Sequence, residues 1–277
     1  MLRCFNHRSM LSFETVFCRD GIEIADIACT HCAGRGQAEW TEGSALVFVR
    51  RGSFTRTADG REALLDPTSA YAVNAEQEHR YDHHNDDGDD CTALYLSAEV
   101  LAELWGGSTK LPTGALPATP EIDLEHRLLL AVARRGGDPH EVSERSVNLV
   151  AHSLEQRDGR QVASGRPSTA ASRRALVDGV REILAADRER SLPELARELS
   201  VSPHHLSRVF GAITGHTISR HRMRLRTRDA LERLAGGEQN LAQVAAAAGF
   251  ADESHLSRVL RRETGTTPAA LRAALAA

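Results

Sequence analysis

The sequence predicts an α+β multidomain chain: an N-terminal β domain with a helical extension, then an all-α C-terminal domain built on an internal repeat. Three observations predict it. The pentapeptide HLSRV stands at 205–209 and again at 255–259, each time inside a two-helix pattern. Residues 11–96 read as short strands, some of them alternating apolar and polar, separated by turn signals. A polar, small-residue stretch at 158–172, DGRQVASGRPSTAAS, divides the chain, and the charge divides with it. From Arg166 onward, eighteen arginines and no lysine stand against twelve acidic residues, a net charge of +6, which leaves −10 for the rest. At 277 residues, two cores are expected rather than one.

In the first domain, LSFETVF (11–17) and SFTRT (53–57) alternate as half-buried strands do, while ALVFVRRG (45–52) reads as a more continuous, buried run. Asp59-Gly60 is a hairpin signal, since a two-residue type I′ turn needs positive φ at both positions. Asp66-Pro67 and Asn74 mark further turns, and strands at this spacing suggest a small sandwich or barrel. At Ser97 the period changes: SAEVLAELWG is a short helix with the serine as its cap. LPTGALPATP (111–120) is a proline-rich connector. Two helical stretches follow, 122–135 striped by Leu128, Leu129 and Val132, and 139–157 enriched in Val142, Val147, Leu149, Val150 and Leu154. Such a pair can join two chains or cover one face of the barrel, and periodicity does not separate these outcomes.

No apolar run approaches the roughly 18 residues of a membrane helix. The first residues lack a basic segment followed by an apolar core and a small-residue cleavage site. A cytoplasmic protein that does not engage a membrane is expected. Its five cysteines are then expected to be reduced, metal-bound or redox-active rather than a disulfide framework.

The C-terminal domain opens with Leu176, Val180, Ile183 and Leu184 on one helical face. In the first repeat, 192–215, Ser202 is the cap, Pro203 occupies the first turn, and Leu206, Val209, Phe210 and Ile213 form the buried stripe. In the second, 241–271, Leu241, Val244, Ala245 and Ala248 make a buried face and Gly249 closes that helix. Phe250 plugs the angle, and Asp252 caps a helix with Leu256, Val259 and Leu260 inside. Thr-Gly ends both copies, at 214–215 and 264–265. Each copy reads as a helix-turn-helix. Between them, 217–234 buries Ile218, Leu225, Ala230, Leu231 and Leu234 and spreads six arginines around the remainder, a helix suited to holding two reading heads apart.

Residues 173–271 resemble the DNA-binding domain of the AraC/XylS family of bacterial transcription regulators, most specifically in GFADESHLSRVLRRETGTTPAALR. Two departures stand out: Leu260 replaces the usual Phe, and His221 a usual aromatic residue, both expected to be packing changes. The resemblance implies a cupin-like β sensor domain over 1–110, a helical segment over 111–157 as candidate dimerisation element, a linker over 158–172, and a DNA-binding domain over 173–277. It implies sequence-specific regulation of transcription under a small-molecule, metal or redox signal. The implied partners are double-stranded DNA, RNA polymerase, a second copy of the chain, and an unidentified small-molecule effector. The family's base-reading positions carry over onto His204, Ser207 and Arg208 in the first copy, and onto Glu253, Ser254, Ser257 and Arg258 in the second. Either arginine can donate two bonds to guanine O6 and N7, or bind a phosphate, and Glu253 can accept from cytosine N4. His205 and His255, beside the core leucines, are expected to pack or to face phosphate.

A second cluster lies in the β domain. Cys29 and Cys32 form a C-x-x-C pair, His79 and His83 precede the acidic loop NDDGDD, and Cys91 follows it. Thiolates and imidazoles suit zinc. The same pair can be a redox couple, or the cysteines can be small buried hydrophobes and the histidines surface residues. The competing function is a cupin-type metalloenzyme, or a metal sensor with an appended DNA-binding domain. Neither H-E-x-x-H, nor a nucleophile elbow, nor a phosphate-binding glycine loop occurs, so no enzymatic activity is expected.

Overall fold

The computed structural model describes residues 10–30, 34–84, 86–156 and 167–275. Among these residues ten strands precede the first helix: β1 (Met10–Arg19), β2 (Ile22–Thr30), β3 (Gly34–Arg35), β4 (Glu39–Trp40), β5 (Ser44–Arg51), β6 (Phe54–Ala58), β7 (Arg61–Leu65), β8 (Ser69–Val73), β9 (Glu78–His83) and β10 (Asp89–Leu96). Helix α1 (Ala98–Leu104), strand β11 (Ala115–Pro117) and helices α2 (Pro120–Arg134) and α3 (Pro139–Glu155) complete the N-terminal part. One sheet runs β1-β2-β10-β5-β8-β11 and the other β3-β9-β6-β7, with β4 also on β9. All pairings are antiparallel.

The larger sheet is covered on both faces. Val47, Val49, Tyr71, Cys91 and Ala93 point between the sheets, toward Phe54 and Leu65. Ile24, Leu46, Phe48, Ala72 and Leu94 point the other way, under α1, α2 and α3. This double cover explains why β5 and β8 lack alternation. The Asp59-Gly60 turn has φ of 51° and 68°, as a type I′ hairpin requires. Ser97 caps α1, accepting from the Val100 N–H. The proline-rich connector holds a strand the sequence does not predict: Leu116 is buried and 115–117 pair with 69–71 on the edge of β8.

Among the described residues, seven helices form the C-terminal part: α4 (Pro167–Ala186), α5 (Leu192–Glu198), α6 (Pro203–Thr214), α7 (Ile218–Ala235), α8 (Leu241–Ala247), α9 (Glu253–Thr264) and α10 (Pro268–Leu275). Part of the expected linker, 167–172, is helical instead. Helix α4 already includes 167–172, because Pro167 suits a first turn and the Ser/Thr/Ala run after it does not stop a helix; 158–166 lie outside the described residues. The core is two clusters, one per repeat. None of the described helices is long and apolar enough to cross a membrane.

Helix α2 lies between the two parts. It packs on the larger sheet, where His126 stacks on Phe48 with ring centroids 4.6 Å apart, and Leu124 and Leu128 rest on the second repeat's core. The pair α2–α3 therefore covers a barrel face, and α2 also touches α7, α9 and α10.

Candidate nucleic-acid interface and a Cys/His/Asp cluster

The two repeats fold alike. Ser202 Oγ accepts from the His205 N–H at 3.2 Å, and Asp252 Oδ1 from the His255 N–H at 2.7 Å. Each satisfies a backbone donor that the helix leaves free. At the other end Gly215 and Gly265 take φ of 72° and 69°. The hydroxyls of Thr214 and Thr264 donate to the carbonyls of Phe210 and Leu260, one turn back. The turns differ as the sequence indicates, 199–202 in the first copy and 248–252 in the second. The longer turn uses Gly249 at φ 78°, whereas the shorter one places Ser200 at φ 55°.

Leu206, Val209 and Phe210 are buried on α6, and Leu256, Val259 and Leu260 on α9. The opposite faces expose His204, Ser207 and Arg208, and Glu253, Ser254 and Arg258, with Ser257 half-buried. All the expected reading positions thus lie on the outer sides of two matching helices. His255 packs edge-on against Phe250 at 5.4 Å, and His205 lies 3.5 Å from the Arg208 guanidinium. Leu260, where the resemblance leads one to expect Phe, is fully buried.

His221, the other departure, does more than pack. Its ring meets Phe210 at 5.6 Å and His216 at 5.8 Å, and its Nε2 is 3.8 Å from Asp66 of the β domain. Burial pushes its pKa down to about 4, against an opposing pull from Asp66. Asp66 is fully buried, and Arg181 of α4 donates to its Oδ2 at 2.8 Å. Burial alone would raise the Asp66 pKa; Arg181, with His221 and Thr68, overrides it and holds the carboxyl well below the usual range. Arg181 also donates to Ser69 Oγ and to the Leu64 carbonyl.

A second ionic knot joins α2 to α7. Arg127 bonds Asp123 and Glu232, Arg228 faces Asp123 and bonds the Ala118 carbonyl, and Arg50 of β5 lies 3.7 Å from Glu232. Of the six arginines spread along 217–234, Arg228 is therefore spent on the interior. Sequence reasoning missed both knots. The signal available was Asp123 and Arg127 at helical spacing, but nothing local names Glu232 as the third member.

In the β domain the structure brings together Cys29, His83 and Asp89, with one donor atom of each within 4.8 Å of the others. His83 Nε2 is 2.6 Å from Asp89 Oδ2, and Cys91 Sγ donates to Asp89 Oδ1 at 3.4 Å. Cys91 therefore sits behind Asp89 and is not one of the three. His79 does not join them: its Nδ1 meets the Gln77 carbonyl at 3.0 Å, and it stands four residues before His83, about 13 Å along the strand. Cys32 lies outside the described residues. Cys29 is disulfide-bonded, while Cys18 and Cys91 are free thiols. Asp89 is the residue the sequence reading left out, because it is one of four aspartates in a loop that reads as solvated. Its place follows from register: on β10 it pairs with Cys29 of β2. The approach needs Gly88 at φ 69°, where a Cβ would stand 2.1 Å from the Cys29 carbonyl oxygen.

A family model described as an AraC-like ligand binding domain matches residues 28–150, and one described as a helix-turn-helix domain matches 195–274. Among solved structures, ToxT from Vibrio cholerae O395 is 12% identical, over 92% of this chain and 98% of that one, with a TM-score of 0.36. Unsaturated fatty acid bound wild-type ToxT from Vibrio cholerae strain SCE256 is 13% identical over 98% and 97%, with a TM-score of 0.34. A Cupin_2 domain of an XRE family transcriptional regulator from Enterobacter cloacae is 16% identical, over 31% of this chain and 96% of that one, with a TM-score of 0.28. No curated protein matches. The family assignment rests on the two matched segments, which together span well over half of the chain.

Proposed function

The chain belongs to the AraC family of DNA-binding transcription regulators, and from that premise we propose that α6 and α9 enter successive major grooves and read bases through His204, Ser207 and Arg208, and through Glu253, Ser254, Ser257 and Arg258. The observation that carries this is the equivalence of the two helices: side-chain caps at matching positions, a glycine at the end of each, apolar residues buried at the same three positions, and an arginine exposed at the same position of each. Arginine is suited to bidentate donation to guanine, and the serines tolerate several bases. The basic charge of this half adds a sequence-independent attraction to phosphate.

The β domain is the seat of the small-molecule effector in this reading. Arg56 points between the sheets, 5% exposed, with its guanidinium 5.2 Å from the Tyr71 ring centroid and its Nε unpartnered among the described residues. A buried cation of this kind favours an effector with an anionic group. Pairing of two chains falls to surfaces other than α2, whose faces are taken up by the sheet and the DNA-binding helices. Contact with RNA polymerase belongs to the same reading.

Selection of binding sites from random DNA by the full chain tests the two-headed proposal. Two conserved sequence elements about 10–10.5 base pairs apart, centre to centre, are expected, since successive major grooves on one face are roughly 34 Å apart. Enrichment of a single element would refute the second reading helix, and no enrichment would refute sequence reading altogether.

A further inference from the structure

We propose that Cys29, His83 and Asp89 form a thiol-gated site for a borderline-soft divalent cation of the zinc class. The three donors come from β2, β9 and β10, so both sheets meet at this point. Cys29 and Asp89 are each only 6% exposed, and the donor atoms lie within 4.8 Å of one another. A sulfur, an imidazole nitrogen and a carboxylate oxygen are a zinc donor set, and three protein ligands with a water in the fourth position make an exchangeable site. Bonds of about 2.0–2.3 Å place tetrahedral ligands roughly 3.3–3.8 Å apart. Binding therefore asks the sulfur to close by up to about 1.5 Å, and the 2.6 Å His83–Asp89 bond to open as the cation replaces the shared proton.

The surroundings hold the donors in place. The Cys91 thiol fixes one oxygen of Asp89, the Phe54 ring lies 5.5 Å from that of His83, and Gly88 lets the loop before Asp89 reach the Cys29 backbone. Cys91 and Phe54 are positioning residues here.

The gate is the disulfide of Cys29. A disulfide sulfur is not a thiolate, and only the thiolate is a strong zinc ligand. A dithiol reductant delivers two electrons and two protons, giving two thiols and its own disulfide. Coordination then releases the Cys29 thiol proton to solvent. The site adjoins the DNA-binding half: Asp87 and Gly88, beside Asp89, line a groove of about 530 Å³ with 185–189 and with 246–249 of the second repeat. Control of DNA binding by this site rests on the regulator reading above; cation binding does not.

The test uses the full chain, reduced with a dithiol, freed of it without air, and titrated with cobalt(II) and with zinc(II) against a chromophoric chelator. One equivalent of cation and a thiolate-to-cobalt absorption band in the near ultraviolet are expected. Affinity should fall at least tenfold in His83→Gln and in Asp89→Asn, stay unchanged in His79→Gln, and fall likewise in protein reoxidised with a disulfide. Cys29→Ser should lose the band. Circular dichroism establishes that each variant is folded. A reduced, folded chain that holds no stoichiometric cation would overturn the site, as would affinity indifferent to His83→Gln; equal affinity in the oxidised chain would overturn the gate. DNA titrations on the same preparations report on the regulator reading alone, because cation stoichiometry is measured without DNA.

Discussion

Arg208 and Arg258 occupy the same position in two copies of one motif, so a single substitution asks the same question twice. Arg208→Ala and Arg258→Ala should each cost about 1–3 kcal/mol on the selected site if they read bases, and less on random DNA. Equal weakening on both DNAs would assign them to phosphate. Titrations at one stated salt concentration measure the difference, and unchanged affinity in both variants would remove α6 and α9 from the interface. His221 offers a different test at the same scale. Its folded pKa of about 4 lies below the ordinary value of 6.5, so the unfolded chain binds more protons between those two values. Its contribution is fully present above pH 6.5 and is lost as pH falls toward 4. At 1.36 kcal/mol per unit this amounts to about 2–3 kcal/mol. Denaturant unfolding from pH 7 to pH 4 should show that loss in the wild-type chain and a shallower one in His221→Phe; identical slopes would mean that His221 does not titrate there.

Glycines of nearly identical conformation separate local strain from crowding at the scale of the element. Gly60 ends the β6–β7 turn at φ 68° with no atom within 4 Å of a would-be Cβ. Gly88 has φ 69°, but there a Cβ would fall 2.1 Å from backbone oxygen. Gly60→Ala should cost about 1–2 kcal/mol, the price of a left-handed L-residue. Gly88→Ala should cost a further 1–3 kcal/mol, because the chain must move. Denaturant midpoints measured at constant slope provide the comparison, and equal costs would mean that the loop retreats freely from β2. Most elements were legible in the sequence because caps, hairpin residues and periodicity act over a few positions. Ser97, Ser202 and Asp252 cap their helices, and Asp59-Gly60 turns its hairpin as expected. The strand at Ala115–Pro117 was not legible, since three residues ending in a proline carry no period and pair only because β8 presents a free edge.

Across the whole molecule, the acidic and basic halves meet through buried ion pairs rather than through a bare tether. Arg181 reaches from α4 into the β domain and neutralises Asp66, which has no exposure of its own. Arg181→Ala would strand that carboxylate, and removing one partner of a buried pair typically costs about 3–5 kcal/mol. The deficit should be fullest at neutral pH and shrink as pH falls, because the stranded Asp66 of the variant can take up a proton while the paired one resists it. Unfolding free energies of both chains from pH 7 to pH 4 measure this. A deficit under 1 kcal/mol at pH 7 would mean that the two halves separate readily and water reaches Asp66.

What the sequence determined by itself was the repeat, the position of each cap, the faces of α6 and α9 that point outward, and the split of charge. All of these depend on neighbours within one or two helical turns, or on composition alone. Tertiary structure decided which polar residues are interior. Asp89 rather than His79 joins Cys29 and His83 because strand register sets Asp89 opposite Cys29, and His79 lies four residues along the same strand. Asp66, Arg181 and Arg127 look like surface charges in the chain and become an internal interface, with half-exposed Glu232 at its edge, once α2 and α4 are docked. The physical reason is the range of the forces. Backbone capping and periodicity are settled by adjacent residues, whereas desolvating a charge is tolerated only where a distant partner arrives to meet it.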